Sequence, residues 1–494
     1  MSISGDLILD PAVVRAAADD PAHALHAGLA AARKAGRTAW IPAGAADVLG
    51  VSPAVRELAQ ACQWLAELPS DAAAALAAEH PVGARLAALR ERLGAAAVLV
   101  SDDAAVRAVA GQAVSATELA LHGVTKAPIA FVDLAVQQNR VRGELERRMH
   151  QVLRHGHYIM GPEIAELEAR LAAYVGVRHC ISVASGTDSL EIALRALGVG
   201  SGDEVITVPF TWISTVEVIG LCGAKPVFVD IEPAGFNLDP ERLEAAITPR
   251  TKAIMPVDLF GQMPDYDRIN TIAARHGIPV IQDAAQSFGS TQHGRRACAQ
   301  TLVGSTSFFP AKPLGCYGDG GALFTEDESL AARMRAIRTH GGERRHHHPY
   351  LGMNGRLDTL QAAILLAKLE VWDDEVAARG RIGARYTSLL RGACGVPEIM
   401  PGNTHVYAQY TVRLPRRDAA AERLKAAGIP TAVYYPKCLH EQPIFATLGN
   451  RLGDFPESER AAREVLSLPM HPYLQPAQQD SIVAALRAAG EGRA

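Results

Sequence analysis

Two patterns of hydrophobic and polar residues divide the chain near residues 124–130. Before this boundary alanine dominates, as in residues 72–78 and 94–98, and such segments favour helices. After it, short apolar runs bounded by turn residues alternate with amphipathic helical patterns. The apolar runs lie at residues 179–184, 204–208, 225–230, 251–257 and 279–283. The alternation predicts βαβ units and an α/β fold, built on a mostly parallel sheet with flanking helices.

The same patterns predict three domains. Residues 1–126 form an Ala-rich α/β accessory domain, and residues 127–375 form a large domain that contains the parallel sheet. A helical pattern at residues 360–370 leads into a smaller α/β domain, residues 376–494. In that last domain, residues 407–414 alternate between apolar and polar and therefore predict a strand.

Charge, cysteine content and the lengths of apolar stretches limit the kinds of binding partner and metal site that we expect. The 494 residues carry 49 Lys+Arg and 53 Asp+Glu, a net charge of −4, which disfavours nucleic acid as the main partner. Seven dispersed cysteines lack metal-ligand spacing, so we expect reduced thiols and no metal site. We find no signal peptide and no apolar stretch of about 18 residues, and therefore expect a cytoplasmic protein without a membrane partner.

Lys312 and Asp283 are the first candidates for chemistry. Lys312 lies between a strand-like segment and a Gly-rich loop, where an amine could form a Schiff base with a carbonyl. Alone, a lysine is more often a solvated surface group. Asp283 ends an apolar strand, at the sheet edge where ligands gather, and could pair with a protonated pyridine nitrogen. It could equally cap a helix, and the two roles can coexist.

Three further side chains and one turn fit a flat, phosphorylated ligand. Gln286 could hydrogen-bond a ring hydroxyl. The turn at Ser185, Gly186 and Thr187 begins a helix, whose N–H groups and dipole suit a phosphate, and Ser307 could add a hydroxyl. Trp212 could stack on a ring, although a core aromatic is the commoner role.

The order and spacing of these motifs resemble the DegT/DnrJ/StrS-type sugar aminotransferases, a fold type I family that depends on pyridoxal 5'-phosphate. The resemblance runs from about Ile129 to Ala489 and includes a later Asn-Gly-Arg-Leu-Asp motif at residues 354–358. Within the family, the chain is most similar to 3-aminotransferases that act on UDP-2-acetamido-2-deoxy-3-oxo-glucuronate in surface-polysaccharide pathways. The segments that carry this closer likeness are residues 155–163, 316–321, 344–348 and 467–474.

The resemblance implies roles for the cofactor-binding residues. Lys312 would hold the cofactor as a Schiff base, and Asp283 would pair with the pyridine nitrogen. Trp212 would cover the ring face and Gln286 would lie at the ring hydroxyl. The remaining residues would hold the phosphate: Gly186, Thr187 and Ser307.

The resemblance also implies a homodimer with shared active sites. Asn354, and with it Arg356, would reach into the neighbour's site. Tyr317 and Tyr434 are further candidates for substrate binding. Arg344 and Arg345, followed by three histidines, form either an exposed basic loop or an anion site for the nucleotide diphosphate; adjacent histidines on one segment do not suit a metal ion.

Three positions depart from the family pattern. Gln282 stands where Glu is usual, and Gly355 stands where Ser is common. Tyr434 replaces the His expected in enzymes that form 3-amino sugars. The first two leave the chemistry unchanged, whereas the third bears on the identity of the sugar.

Residues 1–126 lie outside the family's usual extent. Two apolar runs there end in acidic residues, which faintly resembles a PIN-type nuclease domain with Asp10, Glu57 and Asp102 as metal-binding candidates. Helix capping also explains such aspartates, and no basic surface suited to RNA is evident. We therefore expect a degenerate accessory or interaction domain.

The expected function is amino transfer from an amino acid, which the family resemblance suggests is glutamate, to a UDP-linked 3-keto sugar. One alternative within the same chemistry is a 4-keto-sugar aminotransferase. Another, from a different class, is a nucleic-acid or protein-binding module at the N-terminus with the aminotransferase part secondary.

Overall fold

The computed structural model describes residues 129–490, together with four short strands before them. These strands are β1 (Leu7–Leu9), β2 (Ala39–Trp40), β3 (Val98–Val100) and β4 (Ala113–Val114). They form a parallel sheet in the order β2-β1-β3-β4. β1 and β3 lie in the two apolar runs that end in acidic residues, whereas Asp10, Glu57 and Asp102 lie outside the described residues.

The chain divides into two compact units by contact. One comprises Met1–Ile129 with Gln475–Ser481, and the other comprises Ala130–Leu474 with Ile482–Ala494. The expected boundary at residue 375 lies within a helix, Trp372–Leu390, and the three-domain division stays a prediction. In the part of the chain that the structure describes, no helix is long and apolar enough to cross a membrane.

The second unit alternates helices and strands, as the hydrophobic pattern predicts. Its α-helices are α1 (Leu134–His155), α2 (Pro162–Val175), α3 (Gly186–Ala196), α4 (Ser214–Leu221), α5 (Pro240–Leu243), α6 (Tyr266–Arg275), α7 (Glu328–Arg338), α8 (Thr359–Leu369), α9 (Trp372–Leu390), α10 (Arg417–Ala426), α11 (Pro456–Glu464) and α12 (Pro476–Gly490). Its 3₁₀ helices are Glu244–Ala246, Leu259–Gly261, Leu439–Glu441 and Pro443–Leu448. Its strands are β5 (His179–Val183), β6 (Glu204–Thr207), β7 (Lys225–Phe228), β8 (Thr251–Ile254), β9 (Ile281–Asp283), β10 (Thr291–Gln292), β11 (Arg295–Arg296), β12 (Val303–Ser307), β13 (Gly321–Thr325), β14 (Tyr410–Arg413) and β15 (Val465–Leu468).

The main sheet has the order β7-β6-β8-β9-β12-β13-β5. Two ladders, β7-β6-β8 and β5-β13-β12-β9, are joined by parallel bridges from Ile254 to Val280 and from Val257 to Asp283. β13 runs antiparallel to both of its neighbours, and the other pairs are parallel. The expected mostly parallel sheet is confirmed, and the carboxyl ends of β5, β9 and β12 consequently meet at one edge.

Both faces of the sheet are buried, which explains its continuous apolar strands. Consecutive residues of one strand enter different core clusters: Ile206 and Ile254 belong to one, whereas Val205 and Ala253 belong to the other. Such two-sided burial is expected of parallel sheets with helices on each face. The sheet is therefore a rigid base from which strand ends and the following loops can hold a ligand.

The last part of the unit contains a small antiparallel pair. β14 pairs with β15, with Tyr410 opposite Leu468, and β14 falls within the strand predicted at residues 407–414. Tyr410 and Leu468 are both fully buried. The alternation in the sequence therefore identified a strand, although Thr411 is buried as well, so both faces of β14 are covered rather than one.

Candidate active site

Asp283 ends β9 and is buried beneath the strand edge, with 4% of its surface exposed. Its carboxylate accepts hydrogen bonds from Thr215 Oγ1 at 2.9 Å and from the Ala285 N–H at 3.2 Å. Burial raises the pKa of Asp283, while these two bonds and the charge of Lys312 lower it. The carboxylate is thus desolvated, held by two donors and close enough to Lys312 for their charges to interact.

Lys312 lies in the loop between β12 and β13, where its N–H donates to Phe309 O at 2.8 Å. The side chain is partly buried. Burial lowers the pKa of its ammonium group, against an opposing influence from the Asp283 carboxylate. A lysine with a lowered pKa has more of the neutral amine that attack on a carbonyl requires.

A cluster of small polar residues surrounds the N-terminus of α3. Ser185 caps the helix by accepting from the Asp188 N–H at 3.0 Å, and Thr187 Oγ1 lies 2.8 Å from Ser214 Oγ. A Cβ on Gly186 would come within 2.6 Å of Ser307 Cβ, so glycine is needed for the helix to begin beside Ser307. Free N–H groups of a first helical turn and nearby hydroxyls suit a phosphate.

Ser214 and Thr215, at the start of α4, connect the two ends of this arrangement. Ser214 contacts Thr187 in the α3 cluster, and its neighbour Thr215 donates to Asp283. The candidate phosphate site and the candidate carboxylate for a ring nitrogen are therefore linked through one peptide unit. Pyridoxal phosphate carries a phosphate and a pyridine nitrogen on one small rigid ring, so a phosphate-type site connected to a buried carboxylate suits its chemistry.

Trp212 and Gln286 lie beside the contacts that join Thr187 to Asp283. Trp212 is 56% exposed, which rules out the core-aromatic alternative, and its ring centroid lies 6.0 Å from that of Tyr435. Gln286 is buried; its Oε1 accepts from the Phe260 N–H at 2.8 Å and its Nε2 donates to the Tyr435 hydroxyl at 3.3 Å. An exposed aromatic face next to a fixed amide can contact a planar ring.

The two tyrosine candidates occupy different surroundings. Tyr434 is partly buried, with its ring centroid 5.7 Å from that of Tyr435, and so adjoins the Gln286 contact. Tyr317 donates its N–H to Gln361 Oε1 at 2.9 Å, and its ring lies 4.3 Å from Lys368 Nζ. Tyr317 therefore follows Lys312 on the same loop but is packed against α8.

The remaining candidates lie on two other segments. Asn354 is exposed, and its neighbour Gly355 accepts from the Ala184 N–H at 2.9 Å, just beyond β5. Arg356 Nε is buried without a hydrogen-bond partner among the described residues. Arg344 and Arg345 are exposed, and the structure does not bring them into the Asp283 cluster through any hydrogen bond that it describes.

Sequence reasoning missed four residues that the fold brings to this region. Ser214 and Thr215 follow Trp212 closely, and hydroxyls at a predicted helix start are the signal that could have identified them. Asp258, fully buried, bonds to residues on both sides of Asp283. Lys368, also fully buried, donates to Gly315 O at 2.6 Å on the Lys312 loop; its place in an apolar helix gave no such indication.

Comparisons with known proteins agree with this geometry. Residues 139–487 match the DegT/DnrJ/EryC1/StrS aminotransferase family. The UDP-2-acetamido-2-deoxy-3-oxo-D-glucuronate aminotransferase of Pseudomonas aeruginosa is 56% identical over 359 residues, which cover 72% of this chain and 99% of that protein.

Solved structures give the same result. A DegT DnrJ EryC1 StrS aminotransferase from Brucella abortus superimposes with a TM-score of 0.71 at 45% identity, covering 73% of this chain and 98% of that one. Bacillus subtilis NtdA, solved with bound cofactor PMP, superimposes with a TM-score of 0.67 at 31% identity, covering 73% and 83%. The expected fold type I architecture is confirmed for the second unit.

Proposed function

Because this chain belongs to the DegT/DnrJ/EryC1/StrS aminotransferase family, we propose that it uses pyridoxal 5'-phosphate to transfer an amino group to a UDP-linked keto sugar. When bound, this cofactor supplies a reactive carbonyl and an electron sink. The observation that carries the proposal is a series of contacts: Thr187 is hydrogen-bonded to Ser214, and the adjacent Thr215 is hydrogen-bonded to Asp283. Lys312 lies close enough to Asp283 for their charges to interact.

Each functional group of the cofactor would have a partner in this arrangement. Gly186, Thr187 and Ser307 would hold the phosphate at the start of α3, and Asp283 would keep the pyridine nitrogen protonated. Trp212 would cover one ring face. Gln286 would contact the ring hydroxyl through its amide, which is already oriented by the Phe260 N–H.

Lys312 would both bind the cofactor carbonyl and move protons. Its Nζ, partly desolvated and of lowered pKa, would take the proton from the α-carbon of the amino donor. The same atom would return a proton to the sugar carbon that receives the amino group. Lowering the pKa of the amine helps both tasks, because a base accepts and releases a proton with similar ease when its pKa is close to the working pH.

Two lysines near this loop have lowered pKa values, and the first experiment distinguishes them. Burial lowers the pKa of Lys368 to about 8, but its ammonium is bonded to Gly315 O. Borohydride reduction of the holoenzyme and peptide mass mapping should place the cofactor on Lys312. Lys312→Ala should lose turnover and the visible cofactor band, whereas Lys368→Ala should keep the band. Label on Lys368, or an active Lys312→Ala protein, would contradict the proposed site.

The substrate proposed is UDP-2-acetamido-2-deoxy-3-oxo-glucuronate, with glutamate as the donor, in the making of surface-polysaccharide precursors. The P. aeruginosa relative at 56% identity supports this choice of sugar. The cations of Arg344, Arg345 and Arg356 suit a substrate with a diphosphate and a carboxylate. UDP-linked 3-keto and 4-keto sugars, each offered with glutamate and followed by mass spectrometry, test it; preference for a 4-keto sugar would overturn the 3-keto assignment.

We further propose that two chains complete each site. Asn354 is exposed, and Arg356 has a buried Nε without a partner within the described part of the chain. A turn that presents such groups can contact a ligand held by a second subunit, and a two-fold dimer would use both turns reciprocally. Tyr317 and Tyr434 would then contact the sugar nucleotide from the chain that holds the cofactor.

A further inference from the structure

Asp258 is a buried carboxylate that the proposed chemistry does not use. It has no exposed surface, and it accepts three hydrogen bonds, from Tyr266 Oη at 2.6 Å, Gln282 Nε2 at 2.7 Å and Ser287 Oγ at 2.5 Å. Burial raises its pKa to about 7, against the lowering effect of these donors. A buried carboxylate is tolerated when donors compensate for the lost water.

The amide of Gln282 has only one orientation that satisfies its neighbours. Its Oε1 accepts from the Cys298 N–H at 2.9 Å, and its Nε2 donates to Asp258 Oδ2. The backbone N–H of Cys298 cannot change from donor to acceptor, so the amide cannot rotate. The side of Gln282 that faces Asp258 must therefore be a donor.

The segment from Asp258 to Phe260 holds the turn that carries Asp283 and Gln286. The Asp258 N–H donates to Asp283 O at 2.9 Å, and the Phe260 N–H donates to Gln286 Oε1. The Asp258 carboxylate adds bonds to residues just before and after Asp283, at positions 282 and 287. This segment thus holds the backbone of Asp283 and the side-chain amide of Gln286, two of the residues assigned to the cofactor ring.

We propose that Asp258 and Gln282 form a polarity-matched pair that positions Asp283 and Gln286, and that this pair requires glutamine at position 282. The inference depends on the role proposed for Asp283. A glutamate at position 282 would place a second acceptor against the buried Asp258 carboxylate. Exchange of both side chains together is therefore expected to be tolerated better than Gln282→Glu alone.

Single substitutions should disturb the pair in opposite ways. Gln282→Glu places two carboxyl groups together in a fully buried site, so one of them must bind a proton, and its pKa in the folded protein rises. The folded variant then binds more protons than the unfolded chain, and its stability should fall as pH rises. Asp258→Asn instead removes the charge: its oxygen can still accept from Gln282 Nε2, but its amide donor then faces Tyr266, whose hydroxyl must accept rather than donate.

The double substitution Asp258→Asn with Gln282→Glu restores every contact with reversed polarity. The amide introduced at position 258 can then donate, through its Nδ2, to the new carboxylate, whose other oxygen accepts from the Cys298 N–H. The Ser287 hydroxyl can change from donor to acceptor, and Tyr266 can still donate to the oxygen of the new amide. The net charge and the shape of the site stay the same.

The test compares the holoenzymes of wild type, the two single variants and the double variant. Gln282→Glu should lower kcat by at least about tenfold with little change in the KM of the keto sugar, Asp258→Asn should lower it by less, and the double variant should recover to within about threefold of wild type. Equilibrium binding of pyridoxal phosphate and the pH dependence of its visible band should follow the same order. Singles that match wild type, or a double that is no better than the worse single, would overturn the inference.

Two controls distinguish a positioning role from a general loss of stability. Gln262 is buried and likewise bonded on both sides, to Glu398 O and to the Met400 N–H. Gln262→Glu should lower the melting temperature without changing kcat or the visible band, because it does not contact β9. Asp283→Asn, assayed in parallel, tests the proposed function: normal turnover there removes the premise, whereas slow turnover with unaffected pair variants refutes only the pairing.

Discussion

Thr215→Val tests whether Asp283 acts as a charged group held by its hydroxyl donor. The substitution keeps the side-chain shape but removes the 2.9 Å bond from Thr215 Oγ1 to Asp283 Oδ2. A hydrogen bond to a charged group contributes about 1.5–3 kcal/mol, and about 1.4 kcal/mol changes a rate tenfold. Since the Ala285 N–H still donates to the carboxylate, we expect the lower end of that range, a loss of about tenfold in kcat.

The pH profile gives a second, independent measure. Burial raises the pKa of Asp283 and Thr215 lowers it, so loss of the donor should raise the pKa further. The charged form is the one that pairs with a protonated pyridine nitrogen, so activity should be lost as pH falls through this pKa. In Thr215→Val the loss should therefore begin at a higher pH than in wild type.

Matched variants define the outcome that would refute this reasoning. Thr215→Ser keeps the hydroxyl and should retain most of the activity and the wild-type pH profile. Thr207→Val removes an equally buried hydroxyl, which donates to Met255 O at 2.7 Å, and should lower stability alone. If Thr215→Val kept the wild-type rate and acid limb, or if Thr215→Ser shared its defect, the hydroxyl would not act through Asp283.

Three further perturbations test the proposed site. Asp283→Asn should lower kcat by at least two to three orders of magnitude, about 3–4 kcal/mol on the barrier. Cofactor affinity, measured by equilibrium dialysis, should fall by less. A normal rate would point to another partner for the ring nitrogen. Deletion of residues 1–126 should leave an active aminotransferase in the same substrate assay, because every assigned residue lies in the second unit; failure to bind cofactor would contradict this. The third test mixes Lys312→Ala and Arg356→Ala proteins, each inactive alone, and confirms subunit exchange by native mass spectrometry. The mixture should recover about a quarter of wild-type activity, because half of the dimers are mixed and each mixed dimer has one intact site out of two. No recovery would mean that Arg356 does not serve the neighbouring site.

The sequence alone predicted five strands of the sheet and offered candidate residues at its carboxyl edge. Apolar runs bounded by turns identified β5 and β9, because two-sided burial requires nearly every residue of such strands to be apolar. Asp283 and Lys312 could be proposed as site residues because the order and spacing of the motifs around them resemble those of a known family, although each residue alone is a weak signal. The antiparallel direction of β13 was not evident, since an apolar run carries no information about strand direction.

Only the tertiary structure decided which polar groups support the site. Thr215 reaches Asp283 and Gln282 reaches Asp258, each across a long sequence separation that no local pattern records. These contacts exist because parallel strands bring their carboxyl ends, and the turns that follow, to one edge of the sheet. A hydroxyl or amide there looks like any other polar residue in the sequence, and burial beside a carboxylate is what gives it a role.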